Sequence, residues 1–308
     1  MYVIRGLHNL KTEHRGCVAT IGNFDGVHLG HQSVFQHLLE KGRESSLPAT
    51  VVTFEPQPRE FFQAEAAPAR LTRMREKLQA MKDVGVERVV VLEFNRRLAC
   101  MTAEKFVEEL LVEGLGVRFL SVGDDFRFGQ GRKGNFKLLQ QMGVQYGFQV
   151  ENMNTYMLDA DRVSSTRIRE LLTQGDLAAA QTCLGRPYRI CGRVAHGDER
   201  GRTIGFPTMN VNLHRIVSPL QGVYAVKVLG LDDKPLPGVA NIGTRPTVEG
   251  DTRYLLEVHL FDFDRSVYGQ HVQVEFIHKL RDEKKFDSFE ALRRQILDDA
   301  AAARKTLG

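Results

Sequence analysis

Two histidines, His28 and His31, stand inside GNFDGVHLGH (22–31), directly behind the apolar run CVATI (17–21). If a helix begins near Gly30 or His31, His28 sits at its mouth and His31 in its first turn. Unpaired backbone N–H groups and the positive end of the helix dipole gather there. Such a place takes anions, phosphates above all. Imidazoles in it can donate to phosphate oxygens and offset the charge that grows as a pentavalent phosphorus forms. Gly22, Gly26 and Gly30 would let the backbone approach a ligand closely. HxGH has one open position, and a glycine loop with two surface histidines reads the same way, so the segment alone leaves both descriptions standing.

A second stretch, SSTRIRELL (164–172), opens with hydroxyls suited to capping a helix: Ser164, Ser165 and Thr166. Capping does not explain Arg167 and Arg169, because the helix dipole disfavours cations in a first turn. A phosphate chain would compensate them. FEPQP (54–58) and GDDFRFG (123–129) also follow strand-like runs, so four loops are expected at one sheet edge.

The third stretch is GRVAHGDERGRTIGFPTMN (192–210). Gly192, Gly197, Gly201 and Gly205 interrupt what would otherwise be a hairpin and permit backbone to lie close to phosphate. Thr208 and Asn210 are two apart, so on a strand they share a side. Both offer neutral oxygens, which suit a Mg²⁺ that keeps most of its charge for a nucleotide. A glycine-rich hairpin followed by an ordinary strand accounts for the same composition. Glu257, in YLLEVHLFDF (254–263), alternates with apolar Leu256, Val258 and Leu260 and shares its side with His259. That side faces water or a cleft. Asp262 and Glu275 are the next carboxylates to consider.

These stretches need a frame. At 308 residues the chain is comfortable as two domains, each able to bury a core. Before residue 185, CVATI, ATVVTF (49–54), RVVVLEF (88–94), RFLSVG (118–123) and FQVENM (148–153) are short β-rich runs. Between them Leu71, Met74, Leu78, Met81 and Val84 fall at helical spacing. So do Ala103, Phe106, Val107, Leu110 and Leu111 behind an N-cap at Thr102, and 135–146 reads as a further helix. This alternation implies βαβ units and a parallel sheet, whose ligands sit beyond the carboxyl ends of the strands.

After GRPYRI (185–190) the rhythm changes. YRICGRV, PTMNVNL, GVYAVKVLG, PGVANIG, YLLEVHLFDF and HVQVEFIHKL follow one another with turns between them, as in an antiparallel barrel or sandwich. DSFEALRRQILDDAAAARK closes the chain as a helix that is expected to pack on that barrel. Its expected capping box is Asp287 and Glu290, and its expected apolar face is Phe289, Leu292, Ile296, Leu297 and Ala300. The expected domains are therefore 1–185 and 186–308.

Composition narrows the class of function. The net charge is +4, yet residues 1–185 carry 23 basic and 22 acidic side chains and the remainder 19 and 16. Neither half is a basic nucleic-acid module, and clefts for anionic small molecules fit better. Cys17, Cys100, Cys183 and Cys191 form no CxxC pair, which argues against a zinc knuckle or a disulfide framework. The longest aliphatic run, VVVL (89–92), is far too short to span a bilayer, and MYVIRGLHNL lacks the apolar stretch of a secretory signal. A cytoplasmic protein without a membrane partner is expected; oligomeric state is left open.

The constellation resembles the nucleotidyltransferase superfamily, in which HxGH and an STxxR-type motif bind ATP. GNFDGVHLGH, TFEPQPRE, VGDDFRFG and SSTRIR, in that order, resemble the FMN adenylyltransferase domain of the bacterial bifunctional riboflavin kinase/FAD synthetase family. The resemblance implies an α/β nucleotidyltransferase domain in which Gly22, Asn23, Phe24, Gly26, His28, Gly30 and His31 meet ATP. Ser165, Thr166 and Arg169 would hold the triphosphate from the other side, and Asp125 and Phe128 would border the flavin. The family often has histidine where Gln57 stands. GRVAHGDERGRTIGFPTMN is similar to the riboflavin kinase motif GxVxxGxxxGRxxGFPTxN, with Met209 where alanine is frequent. GVY (222–224), NIGTRPT (241–247) and YG (268–269) continue the match. That implies a six-stranded barrel with Gly192, Gly197, Gly201, Gly205, Thr208 and Asn210 at Mg²⁺–ATP. It also implies Glu257 as the base toward the ribityl 5′-hydroxyl. The implied partners are riboflavin, FMN, FAD and ATP; an adenylyltransferase for another phosphorylated acceptor, such as phosphopantetheine, would leave the barrel motif unexplained.

Overall fold

A computed structural model describes the chain except at residues 124, 154–155, 159–160, 196–205, 214, 216 and 247–251. Gly197, Gly201 and Gly205 of the glycine-rich motif lie outside the described residues. The first part of the chain forms β1 (Tyr2–Arg5), β2 (Cys17–Ile21), α1 (Leu29–Ser45), β3 (Ala49–Glu55), α2 (Pro58–Phe62), α3 (Met74–Asp83) and β4 (Arg88–Glu93). It continues with α4 (Arg96–Ala99), α5 (Ala103–Phe106), β5 (Val117–Gly123), α6 (Phe136–Tyr146) and β6 (Gln149–Met153), then a small hairpin of β7 (Met157–Leu158) and β8 (Asp161–Arg162). Two compact units result, one of Met1–Pro68 with Thr72–Ser164, the other of Ala69–Leu71 with Ser165–Gly308.

In the first unit six strands lie in the order β1-β4-β3-β2-β5-β6, all parallel. Strands covered on both faces need apolar side chains of both parities. CVATI supplies five buried residues in five, with Val18 packing toward α1 and α3 while Ala19 packs toward α5 and α6. Thr102 caps α5 as expected, its Oγ1 accepting from Lys105 N at 3.2 Å, and the helix runs on through π-helical turns over Val107–Gly114. Strand β1 and helix α8 (below) went unread in the sequence; four residues of YVIR are too short a run to show a period.

The second unit comprises α7 (Ser165–Gln174), α8 (Leu177–Leu184), β9 (Tyr188–Ala195), β10 (Met209–Asn212), β11 (Gly222–Leu229), β12 (Leu236–Pro246), β13 (Thr252–Leu260), β14 (His271–Arg281) and α9 (Phe289–Leu307). Its six strands close into an antiparallel barrel in the order β10-β13-β12-β11-β14-β9. Alternating residues Ile190, Val211, Tyr224, Val226, Ile242, Leu256, Val258 and Val274 fill the interior. Ile168, Leu172, Leu177 and Leu184 of α7 and α8 join the same apolar cluster.

Helix α9 does pack on the barrel, and of the apolar face expected Ala300 is buried while Leu292 and Ile296 are half-buried. Phe289 and Leu297 are exposed, and the buried residues are Asp299, Ala300 and Ala303 against Val223, Ala225 and Val239. Small residues let the helix lie close to the strands, and two arginines fix it there. Arg281 of β14 grips the buried Asp299 carboxylate at 2.7–3.1 Å, and Arg304 grips Asp262 at 2.8 and 3.0 Å. The cap also differs: Ser288 accepts from Ala291 N at 3.1 Å, so the expected pair of Asp287 and Glu290 sits one position out of register.

Candidate active sites

Strands β2, β3 and β4 build the sheet in one direction and β5 and β6 in the other, so order reverses between β2 and β5. A crevice beyond the strand ends at such a switch point is where open α/β sheets bind ligands. The GNFDGVHLGH segment leaves β2 there. Gly22 N still continues the ladder, donating to Val52 O at 3.0 Å, and Thr53 Oγ1 donates to Asn23 O at 3.3 Å. The chain then turns through three positive φ values, Phe24 at 46°, Gly26 at 86° and Val27 at 45°. The Phe24 ring folds back over Gly22, where a Cβ would stand 2.9 Å from its Cζ, so position 22 must be glycine.

His28 is the N-cap residue of α1, and His31 follows in the first turn, as the spacing suggests. Their rings stack at 3.6 Å between centroids and 23° between planes, with the edge of Phe24 at 5.2 Å from His31. His28 is buried and His31 half-buried. Two imidazoles and the first N–H groups of a seventeen-residue helix therefore converge on one spot. Gly30 leaves room for this stack: a Cβ there would lie 3.2 Å from the His28 ring and 3.3 Å from Tyr156 Cβ.

Beyond β3, Glu55–Pro56 is cis and Gln57 caps α2 as a buried residue, its Nε2 without a hydrogen-bond partner among the described residues. Beyond β5, Asp125 is exposed and paired with Arg162 at 3.4 Å. Phe128 lies in the core against Phe106, and Phe126 stacks on it with 16° between planes. Phe126 is the less buried of that pair, which alternation along an irregular loop could not reveal. Ser165, Thr166 and Arg169 open α7 in the second unit; Arg169 Nε donates to Ala69 O at 2.6 Å, and Arg167 stands 3.8 Å from Glu170.

The barrel holds a second group. Met209 points into the core, which leaves Asn210 on the opposite face, where it is nonetheless buried; Thr208 immediately precedes the strand. In the register, Asn210 of β10 lies opposite Glu257 of β13, and Glu257 lies opposite Asn241 of β12. Directly opposed residues point to the same side of a sheet, so Asn210, Glu257 and Asn241 form a row across three strands. Asn241 was missed as a candidate because only register reveals it. Gly243, next along this face, lets the Glu283 carboxylate lie against the backbone, where Gln221 Nε2 donates to it at 3.0 Å. The segment before Asn210 is pinned by His259, whose Nδ1 donates to Pro207 O at 2.9 Å while its ring meets Phe206 edge-on at 5.1 Å. Gly192 admits Val211, whose Cγ1 would collide with a Cβ there.

The other nearby carboxylates are differently placed. Asp262 is held by Arg304, whose hydrogen bonds keep its carboxyl below the ordinary value. Glu275 lies between Lys227 and Arg189 on the far strands. The row of Asn210, Asn241 and Glu257 offers oxygen donors, a set that fits Mg²⁺. Among the described residues no cluster of three His, Cys, Asp or Glu side chains could hold a metal by itself. All four cysteines are free, and no helix of the described residues is long and apolar enough to cross a membrane.

Comparison with known proteins matches this order of sites. The model of the FAD synthetase family covers residues 10–167, and that of the riboflavin kinase family covers 184–307. The bifunctional riboflavin kinase/FMN adenylyltransferase of Escherichia coli K12 is 54% identical over 100% of this chain and 98% of its own length. The protein of the same description from Haemophilus influenzae is 53% identical over 99% and 98%. A solved structure described as a macrolide-efflux protein from Streptococcus pneumoniae superposes with a TM-score of 0.82 at 30% identity, covering 99% of both chains. With an HxGH turn at a parallel switch point followed by a closed barrel bearing PTMN, the chain belongs to the bifunctional riboflavin kinase/FMN adenylyltransferase family.

Proposed function

We propose that the chain makes FAD from riboflavin in two ATP-dependent steps, with residues 186–308 phosphorylating riboflavin and residues 1–185 adenylylating the FMN that results. The observation that carries this reading is the full-length similarity to bifunctional relatives together with two separately built sites. In the barrel, Glu257 takes the proton of the ribityl 5′-hydroxyl, and the oxygen attacks the γ-phosphorus of ATP, expelling ADP. Thr208 and Asn210 hold Mg²⁺, which neutralises charge on the nucleotide phosphates when bound. Gly192, Gly197, Gly201 and Gly205 bring backbone close to those phosphates. His259 keeps the Phe206–Thr208 segment in place for that task.

In the first unit an FMN phosphate oxygen attacks the α-phosphorus of a second ATP and pyrophosphate leaves. FMN arrives already ionised, so this step needs no strong base; positioning and charge stabilisation carry it. His28 and His31 donate to the phosphates at the α1 N-terminus, with Gly22, Asn23, Phe24, Gly26 and Gly30 shaping the turn. Ser165, Thr166 and Arg169 bind the triphosphate, and the loop of Asp125 and Phe128 borders the flavin. The reaction belongs in the cytoplasm, where ATP is made available, and it involves neither nucleic acid nor membrane; the even charge of both halves supports this.

The test is incubation of the pure chain with riboflavin, ATP and Mg²⁺, followed by chromatographic separation of riboflavin, FMN and FAD. Wild type should yield FAD. His28→Ala should accumulate FMN, with FAD formation lowered about 10²–10³-fold, as for loss of one transition-state donor. A parallel fall in FMN in a well-folded variant would overturn the division of labour.

A further inference from the structure

Asp25 sits in the middle of the turn that delivers His28, and it is buried. Its Oδ1 accepts from Thr72 N at 2.9 Å and from Thr72 Oγ1 at 3.1 Å. The same hydroxyl oxygen accepts from Gly26 N at 2.9 Å. Thr72 is itself buried and lies 47 residues away in sequence, just ahead of α3. Two of these bonds close a ring, from carboxylate to hydroxyl, from hydroxyl to backbone amide, and back along the chain to the carboxylate, while the Thr72 N–H anchors it from outside.

The ring closes around a constrained stretch of backbone. Phe24 and Val27 flank it with positive φ, a region that bulky or β-branched L-residues rarely enter. Such a conformation persists only where surrounding contacts over-determine it. Here the contacts include the Asp25–Thr72–Gly26 ring, the bond from Val27 N to Phe24 O, and the bond from Gln32 Nε2 to Val27 O. His28 comes next in the chain, so the direction in which the turn exits decides where its ring lies relative to His31 and the α1 N–H groups.

We propose that Asp25 and Thr72 are positioning residues for adenylyl transfer, acting on His28 through the turn rather than by contact with ATP or FMN. The proposal rests on the reading of His28 and His31 as the phosphate donors. A residue of this kind acts on the rate at saturation: the substrates still bind, but the donor stands a fraction of an ångström from where charge develops, and small misplacements cost heavily.

Thr72→Val keeps the shape and removes the hydroxyl, whereas Thr72→Ser keeps the hydroxyl. With the full chain and supplied FMN and ATP, Thr72→Val should lower kcat for FAD formation about 10–100-fold while KM for each substrate stays within about threefold. Thr72→Ser should recover kcat to within about threefold, and riboflavin phosphorylation by the same preparations should match wild type. A Thr72→Val kcat within about twofold of wild type, an equal loss in Thr72→Ser, or a loss confined to KM would each overturn the proposal. Should Thr72→Val not fold, Asp25→Asn takes its place: a neutral oxygen accepts more weakly, so kcat should fall severalfold, and a wild-type value would overturn the proposal. His28→Ala separates this from the reading beneath it. Full FAD formation in His28→Ala breaks the histidine assignment, whereas loss there beside a wild-type Thr72→Val breaks the clamp alone.

Discussion

Gly30→Ala isolates the histidine stack from everything else in the first unit. Gly30 is the second residue of α1 and its φ is not positive, so alanine meets no backbone strain. Helix propensity favours alanine by up to about 1 kcal/mol, less in a first turn, so stability should hold or rise slightly. The added methyl would stand 3.2 Å from His28 Cε1 and Nδ1 and 3.3 Å from Tyr156 Cβ, a few tenths of an ångström inside ordinary contact. Tyr156 blocks retreat on one side, so the His28 ring must shift. A 1 Å misplacement costs about 10²-fold in rate, and a shift of a third of that should cost about 3–10-fold. The measurement is kcat for FAD formation from FMN and ATP, with a thermal melt and the riboflavin phosphorylation rate on the same sample. The expected result is a lower adenylylation rate in a protein at least as stable as wild type, with phosphorylation unchanged. Wild-type adenylylation in that protein would refute the argument that ring placement limits the step.

Asn210→Ala should raise the Mg²⁺ concentration needed for half-maximal riboflavin phosphorylation and leave adenylylation of supplied FMN intact; an unchanged Mg²⁺ titration would remove Asn210 as a ligand. Glu257→Gln keeps shape while removing the base, and single-turnover phosphorylation should slow by about 10²–10⁴-fold, toward the low end if proton loss comes late in a dissociative transfer. The Asp262–Arg304 pair gives a pH signature. Arg304 holds the Asp262 carboxyl below its ordinary 3.8, so as pH falls the unfolded chain takes up the proton first. The pair's stabilisation is therefore complete above 3.8 and fades as pH drops through the lower folded value. Asp262→Asn should lower the barrel's melting temperature at pH 7 and by a smaller margin near pH 3; an equal margin at both would show that the charge contributes nothing.

Much of the frame is legible in the sequence because burial writes it there. The central strands CVATI, ATVVTF and RVVVLEF appear as near-continuous apolar and β-branched runs, since helices cover both faces of the sheet there. The barrel strands alternate because only one face meets the core. The C-terminal helix shows the limit of periodicity. Of the expected stripe Ala300 makes the contact beside Ala303, whereas Phe289 and Leu297 stay exposed, and the arginine grips on Asp299 and Asp262 hold the helix in that rotation. Hydropathy carries no information about such a grip. Phe128, which the resemblance alone sets beside the flavin, packs beneath Phe126 in the core, and an irregular loop has no period from which that burial could be read.

The two candidate sites differ in how far sequence can describe them, and the difference is physical. The HxGH site is local: nine residues from Gly22 to Gly30 supply the turn and all but one of its rings, so spacing alone suggests helix-mouth histidines. Even there the ring that fixes the turn reaches to Thr72, beyond any local motif. The barrel site is non-local throughout. Asn210, Asn241 and Glu257 come from three different strands, and they share a face only because the register opposes them. A slip of one residue on β13 would set Leu256 or Val258 opposite Asn210 and send Glu257 into an apolar interior. The glutamate is thus held outward by the burial of Leu256 and Val258 on either side of it, so the residues that fix the carboxylate's position are the ones with no polar atom to offer.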